Sequence, residues 1–175
     1  MANIEKETIL TQEYVKHLFD YRDGFLYWKI RRTNAIKIGD LAGTLRSFNN
    51  SPHRRRLIGI TGIGTVFSSR LIFLWHNGYL PEIVDHIDRN TENEKINNLR
   101  AATKSNNAVN HTKRINTSSK FVGVSKHKMT GRWQANIRID GKWKYLGLFN
   151  SQEEAALKRD EYARIYYKEF AIINI

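Results

Sequence analysis

The chain has no cysteine among its 175 residues. That excludes disulfides and every thiolate zinc site, including the zinc-ribbon style of scaffold. It has only two prolines. No apolar run approaches the roughly 18 residues that a membrane span needs, and Met1-Ala2-Asn3-Ile4-Glu5-Lys6-Glu7 lacks the apolar core of a signal peptide. The expectation is a soluble, intracellular (cytoplasmic) protein without membrane partners. Acid is scarce too, and most so between residues 100 and 145, where Asp140 alone stands against eleven lysines and arginines. The whole chain carries +12. A positive field this concentrated attracts polyanions, nucleic acid above all.

The length suits one medium domain or two small ones. Thr11-Gln12-Glu13-Tyr14 opens a short helix with Val15, Leu18 and Phe19 on one side. Strands are predicted at Phe25–Ile30 and Arg54–Ile60, a turn-rich piece at Gly39–Gly43, and a hairpin at Gly62 and Gly64 before Thr65-Val66-Phe67. Ser68-Ser69-Arg70 then starts a helix containing Leu71, Ile72, Leu74 and Trp75. Next come a short strand at Ile83–Ile87, a polar loop from Asp88 to Lys95, a second strand at Asn98–Ala102, and a helix capped by Thr103 or Ser105. The order is strand, loop, strand, helix. Residues 111–119 hold one aliphatic side chain and read as a basic linker, with Lys113 and Arg114 placed to lie along a groove. Residues 121–125, 132–139 and 142–148 read as three strands joined by Met129-Thr130-Gly131 and Asp140-Gly141 turns. Ser151-Gln152-Glu153-Glu154 is a capping box for a last helix through Tyr167.

The run Val84-Asp85-His86-Ile87-Asp88, followed by Asn97-Asn98-Leu99-Arg100 and Thr103-Lys104-Ser105-Asn106-Asn107, carries the chemistry. A phosphodiester is anionic and its leaving alkoxide is poor, so cutting it takes a base for water and a cation for the developing charge. An unperturbed imidazole titrates near neutrality, so His86 suits the first task. Asp85 and Asn107 offer oxygens to a hard cation such as Mg²⁺ (or Mn²⁺). Asn98 either hydrogen-bonds loop backbone or orients the imidazole. Asp85 and His86 are adjacent and would face opposite ways on a flat strand, so the backbone must twist or end there.

Asp85-His86-Ile87-Asp88, Asn98-Leu99-Arg100, Thr103 and Asn107 resemble the motif of the His-Asn-His (HNH) endonucleases, in the phage and intron-homing branch where the last position is Asn. The resemblance covers residues 10–110 and implies a ββα-metal fold. It implies His86 as general base, Asn98 as the supporting polar residue of the catalytic set, and Asp85 and Asn107 as metal ligands. Ser69 departs from the pattern, since relatives often have His there.

Residues 120–170 resemble a second family, the plant ethylene-response-factor (Apetala-type) DNA-binding domain. The likeness rests on Phe121-Val122-Gly123-Val124, Gly131-Arg132-Trp133, Ile137-Arg138, Tyr145-Leu146-Gly147-Leu148-Phe149, Glu154-Ala155-Ala156 and Phe170-Ala171. It implies a sheet in the major groove, with Asn136, Arg138, Trp143 and Tyr145 at DNA-contacting positions and Arg132 nearby. Val122 and Ser125 stand where plant members usually have Arg. Arg on an exposed sheet face discriminates guanine by about 1–3 kcal/mol, and Lys126, Lys128 and Lys144 are expected to hold phosphates. Trp133, with Ala135 and Ile137, reads as core.

The expected fold class is α+β. A ββα-metal HNH nuclease domain (1–110, with an upstream nuclease-associated segment) is followed by a basic linker (111–119). A small three-stranded antiparallel sheet packed on one helix (120–175) completes the chain. The expected function is a metal-dependent homing-type endonuclease that nicks double-stranded DNA, acting as a monomer because it has one copy of the site. The competing readings are a sequence-specific DNA-binding regulator with an inactive nuclease fold, and an RNA-binding protein.

Overall fold

A computed structural model describes residues 10–33, 35–48, 53–104 and 118–175. The chain divides into two compact units, one ending at Ala102 and the other starting at Thr103.

The first unit opens with α1 (Gln12–Leu18), whose N-cap Thr11 accepts a hydrogen bond from the Tyr14 N–H at 3.1 Å. Phe19 does not extend it. It starts β1 (Phe19–Arg22), which pairs antiparallel with β2 (Phe25–Trp28). Asp23 (φ 45°) and Gly24 (φ 92°) join them, both left-handed as a tight hairpin turn requires. A three-stranded antiparallel sheet follows, in the order β3 (Thr44–Ser47), β4 (Arg54–Ile60), β5 (Gly64–Phe67). Then come α2 (Ser68–Asn77), β6 (Ile83–His86), a 3₁₀ turn at Ile96–Asn98 and β7 (Leu99–Ala102). Phe19, Leu26, Ile58, Leu71 and Ile72 are completely buried and form the centre of one apolar core.

The second unit is a sheet in the order β10–β9–β8, with β8 (Val124–Lys126), β9 (Trp133–Ile139) and β10 (Lys142–Phe149), and it packs on α3 (Gln152–Tyr167). Asp140 (φ 48°) and Gly141 (φ 77°) turn β9 into β10. Ser151 caps α3 by accepting from the Glu154 N–H at 3.1 Å. The Glu154 carboxylate reaches back one residue further than a capping box does, to the Asn150 N–H. Ala155, Ala156 and Ala163 let the helix lie close on Ala135 and Ile137. A buried Arg159–Asp160 pair stands beneath the chain end. There Asp160 accepts from Asn174 and Ile175 backbone N–H groups at 2.6 and 3.0 Å. The expected sheet-on-helix unit is therefore present.

Candidate active site

Strands β6 and β7 form a two-stranded ribbon in which Asp85 is directly opposite Arg100 and His86 opposite Leu99. Strand β6 ends at His86, the break that the adjacent Asp85 and His86 require. Both side chains are buried, Asp85 at 5% exposure and His86 at 8%. Arg100 donates to Asp85 Oδ2 through Nε at 2.9 Å and Nη2 at 2.8 Å, which fixes the carboxylate in the ribbon.

Burial and, after it, the Arg55 guanidinium push the His86 imidazole below its usual 6.5. Asp85 and Asp88 pull the other way without restoring it. The imidazole is therefore neutral at pH 7, the protonation state in which it can accept a proton.

The loop from Ile87 to Lys95 is tied down along its length. Asn98 does this from inside: its Oδ1 accepts from the Asp88 N–H at 3.0 Å, and its Nδ2 donates to Asp88 Oδ1 at 2.9 Å and to the Asn93 carbonyl at 2.7 Å. Of the two roles open to it, Asn98 takes the loop-holding one. Its amide bonds go to Asp88 and Asn93 of the loop and not to the imidazole. Burial raises the Asp88 carboxyl. Hydrogen bonds from Asn93, the Asn90 N–H and Asn98 outweigh that and hold it below the ordinary carboxylate range. Asp88 is thereby committed to the loop.

From outside, Thr91 donates to the Arg54 carbonyl at 2.7 Å, Arg54 pairs with Glu92 at 2.9 Å, and Tyr21 accepts from the Ile96 N–H at 3.1 Å. Glu94 is the least expected anchor. Phe67, the N-cap of α2, has no side chain to cap it. Glu94, 4% exposed, lies close to Ser68 and Ser69 at that end of the helix. Burial pushes it up to about 7, although Ser68, Arg56 and Ser69 all favour the charged form. Ser69, where a His was the family pattern, is buried at this contact.

Asn107, Lys113 and Arg114 lie outside the described residues, as does the third element of the ββα unit. Among the described residues no group of three His, Cys, Asp or Glu side chains is placed to hold a metal. The donors that are placed comprise one carboxylate beside a neutral imidazole, with no thiolate. That set suits a hard, water-rich cation such as Mg²⁺, which is held by one or two carboxylates and substrate oxygens.

In the second unit the register sorts the expected DNA contacts by face. Arg138 is opposite Trp143, and Asn136 opposite Tyr145. These four lie on the side away from α3, Trp143 at 71% and Tyr145 at 57% exposure. Arg132 is exposed at the start of β9 and donates to the Leu148 carbonyl at 3.0 Å. Lys144 is opposite Ile137 and points to the helix side. Its ammonium lies 4.9 Å from the Tyr162 ring and 5.6 Å from the Tyr166 ring. Lys144, expected to hold a phosphate, thus lies on the opposite face from Trp143 and Tyr145, where strand alternation sends it.

Two placements escaped the sequence reading. Arg100 was visible only as part of a motif, and Glu94 as part of a polar loop.

Comparison with known proteins agrees with both halves. Residues 66–109 match the family model of the HNH endonucleases. The chain is also 47% identical over 58 residues to the ethylene-responsive transcription factor WRI1 of Arabidopsis thaliana. A second relative, an AP2-like ethylene-responsive transcription factor of the same plant, gives the same identity over the same length. The match takes in 32% of this chain but only 14% and 17% of those two proteins. This chain thus joins a segment with the HNH endonuclease pattern to one similar to AP2-type ethylene-responsive factors.

Proposed function

We propose that the chain is a metal-dependent DNA endonuclease of the phage homing type. In this reading it nicks duplex DNA at the β6–β7 ribbon and is targeted by the outer face of the β8–β10 sheet. The observation that carries this is a neutral, buried imidazole next to a carboxylate, at the end of a strand whose following loop is anchored to three other elements. His86 takes the proton from the attacking water. The water comes in with the phosphate, because the imidazole has little contact with bulk solvent. Asp85 and Asn107 hold the cation, and Arg100 keeps Asp85 in place. A bound Mg²⁺ supplies positive charge against the phosphoryl oxygens. Asn98 keeps the loop closed around the site. On the sheet, Arg138 and Asn136 read base edges while Trp143 and Tyr145 pack on sugars or methyl groups; Arg132 and the basic residues Lys113 and Arg114 add phosphate contacts. The protein works as a monomer, one site making one nick.

A supercoiled-plasmid assay with Mg²⁺ tests this. Wild type should relax the plasmid, and His86→Ala should lose about 10²–10⁴-fold in rate while still shifting DNA in a gel. Equal rates for both would remove His86 from its role, and a wild type that binds but never nicks would favour the regulator reading.

A further inference from the structure

The outer face of the β3–β4–β5 sheet carries charge that the nuclease reading leaves unused. Alternation along β4 turns Ile58 and Ile60 to the core and Arg55, Leu57 and Gly59 away from it. The register sets Arg55 opposite Arg46, Leu57 opposite Thr44 and Phe67, and Gly59 opposite Thr65. Two arginines therefore face each other across neighbouring strands, an arrangement that repels in the isolated protein. Three other cations of this unit are matched: Arg54 by Glu92 at 2.9 Å, Lys95 by Asp23 at 2.9 Å and Arg100 by Asp85 at 2.8 Å. Arg46 and Arg55 have no carboxylate partner among the described residues.

Arg55 is also braced. Its guanidinium lies 5.3 Å from the Phe67 ring, which Phe48 meets edge-on at 5.9 Å. The adjacent Arg54 pairs with Glu92, in the loop that follows His86. Beside Arg46 a groove of about 570 Å³ runs over Thr44, Leu57, Gly59 and Thr65, with Leu41 and the carboxylate of Asp40 also in its lining. At Gly59 a Cβ would meet nothing within 4 Å, so the floor there is open.

Two like-charged guanidinium groups facing each other attract an anion, and on the endonuclease reading the anion at hand is the strand being cut. We propose that this face is a second duplex-DNA contact, in which Arg46 and Arg55 grip phosphates flanking the scissile one. The proposal rests on the endonuclease reading. It puts a phosphate grip within the first unit, separate from the β8–β10 sheet.

The test is the salt dependence of binding to a mixed-sequence DNA duplex by full-length protein. All variants carry His86→Ala and no metal is added, so cleavage plays no part. Arg46→Gln/Arg55→Gln should make the log–log salt slope shallower by about 2, roughly one per phosphate contact removed. Arg46→Lys/Arg55→Lys should keep the wild-type slope, since lysine still neutralises a phosphate. Arg22→Gln/Lys29→Gln removes the same charge from a pair that Asp20 already occupies, and should keep the slope too. A melting temperature no lower than that of the His86→Ala parent shows that the glutamine variant folds. Identical slopes for the glutamine variant and its parent overturn the proposal, as does an equal change in the Arg22/Lys29 variant. Nicking by otherwise wild-type protein is scored separately. Its absence would sink the nuclease reading with the slopes intact, and unchanged slopes would sink the second contact with nicking intact.

Discussion

The β6–β7 ribbon and the β8–β10 sheet spend their polar residues in opposite ways. Around the β6–β7 ribbon they turn inward: Asp85, His86, Glu94 and Asn98 are all buried, and hydrogen bonds and ion pairs lock the loop between them. On the β8–β10 sheet the outer face carries Trp143, Tyr145 and Arg138, all exposed, over a small core of Phe121, Val124 and alanines. Chemistry at a phosphate needs groups fixed to a fraction of an ångström with bulk water held back, and burial provides that. Reading a groove needs side chains that reach out, and an exposed sheet provides that.

The comparison breaks most sharply at Asp85. Asp85→Ala takes from the half-buried Arg100 the carboxylate it holds at 2.8 Å. Removing one partner of a buried pair costs about 3–5 kcal/mol. Denaturant unfolding should show that loss in the first unit and leave the melting of the second unchanged.

Next in size is a pH effect that belongs to the first unit alone. Glu94 titrates at about 7 in the fold against 4.5 ordinarily. The native state thus holds this proton more tightly than the unfolded chain does. The stabilisation is complete below pH 4.5, is lost as pH rises through 7, and changes no further above that. The shift corresponds to about 3 kcal/mol. Glu94→Gln should flatten the stability of the first unit between pH 5 and 8, and an unchanged slope would show that Glu94 is not the group responsible.

The sheet face predicts smaller and more selective losses. Arg138→Ala should relax base preference at one position by about 1–3 kcal/mol, read by binding to a randomised duplex library, without altering the melting of either unit. The smallest effect is at the helix beneath it. Ser151→Ala removes the 3.1 Å bond that caps α3 and should cost the second unit about 1 kcal/mol.

Much of this was legible before any coordinates. The β6–loop–β7 order, the strands of the second unit and the cap at Ser151 follow from alternation and cap chemistry. Phe19 was read as helix because it continues the apolar spacing of Val15 and Leu18. Pairing with Trp28, with the two rings 4.5 Å apart, makes it a strand instead. Strand β3 was missed because Thr44–Ser47 is short and mostly exposed, so no apolar alternation marks it. Arg100 is fifteen residues from Asp85, and only the ribbon register puts them side by side. Glu94 looks like a solvated loop residue until the loop folds back onto an uncapped helix. Lys144 was within reach of sequence reasoning: alternation alone separates it from Trp143 and Tyr145.

The central claim is that cutting resides in the buried ribbon and grip on the exposed sheet. Single-turnover nicking at saturating protein, with affinity measured in parallel, tests it most directly on His86→Ala and Arg138→Ala/Tyr145→Ala. The account predicts that His86→Ala loses about 10²–10⁴-fold in rate at unchanged affinity, while the sheet variant loses affinity and keeps its rate once saturated. A His86→Ala protein that nicks at the wild-type rate, or a sheet variant as slow at saturation as His86→Ala, would contradict it.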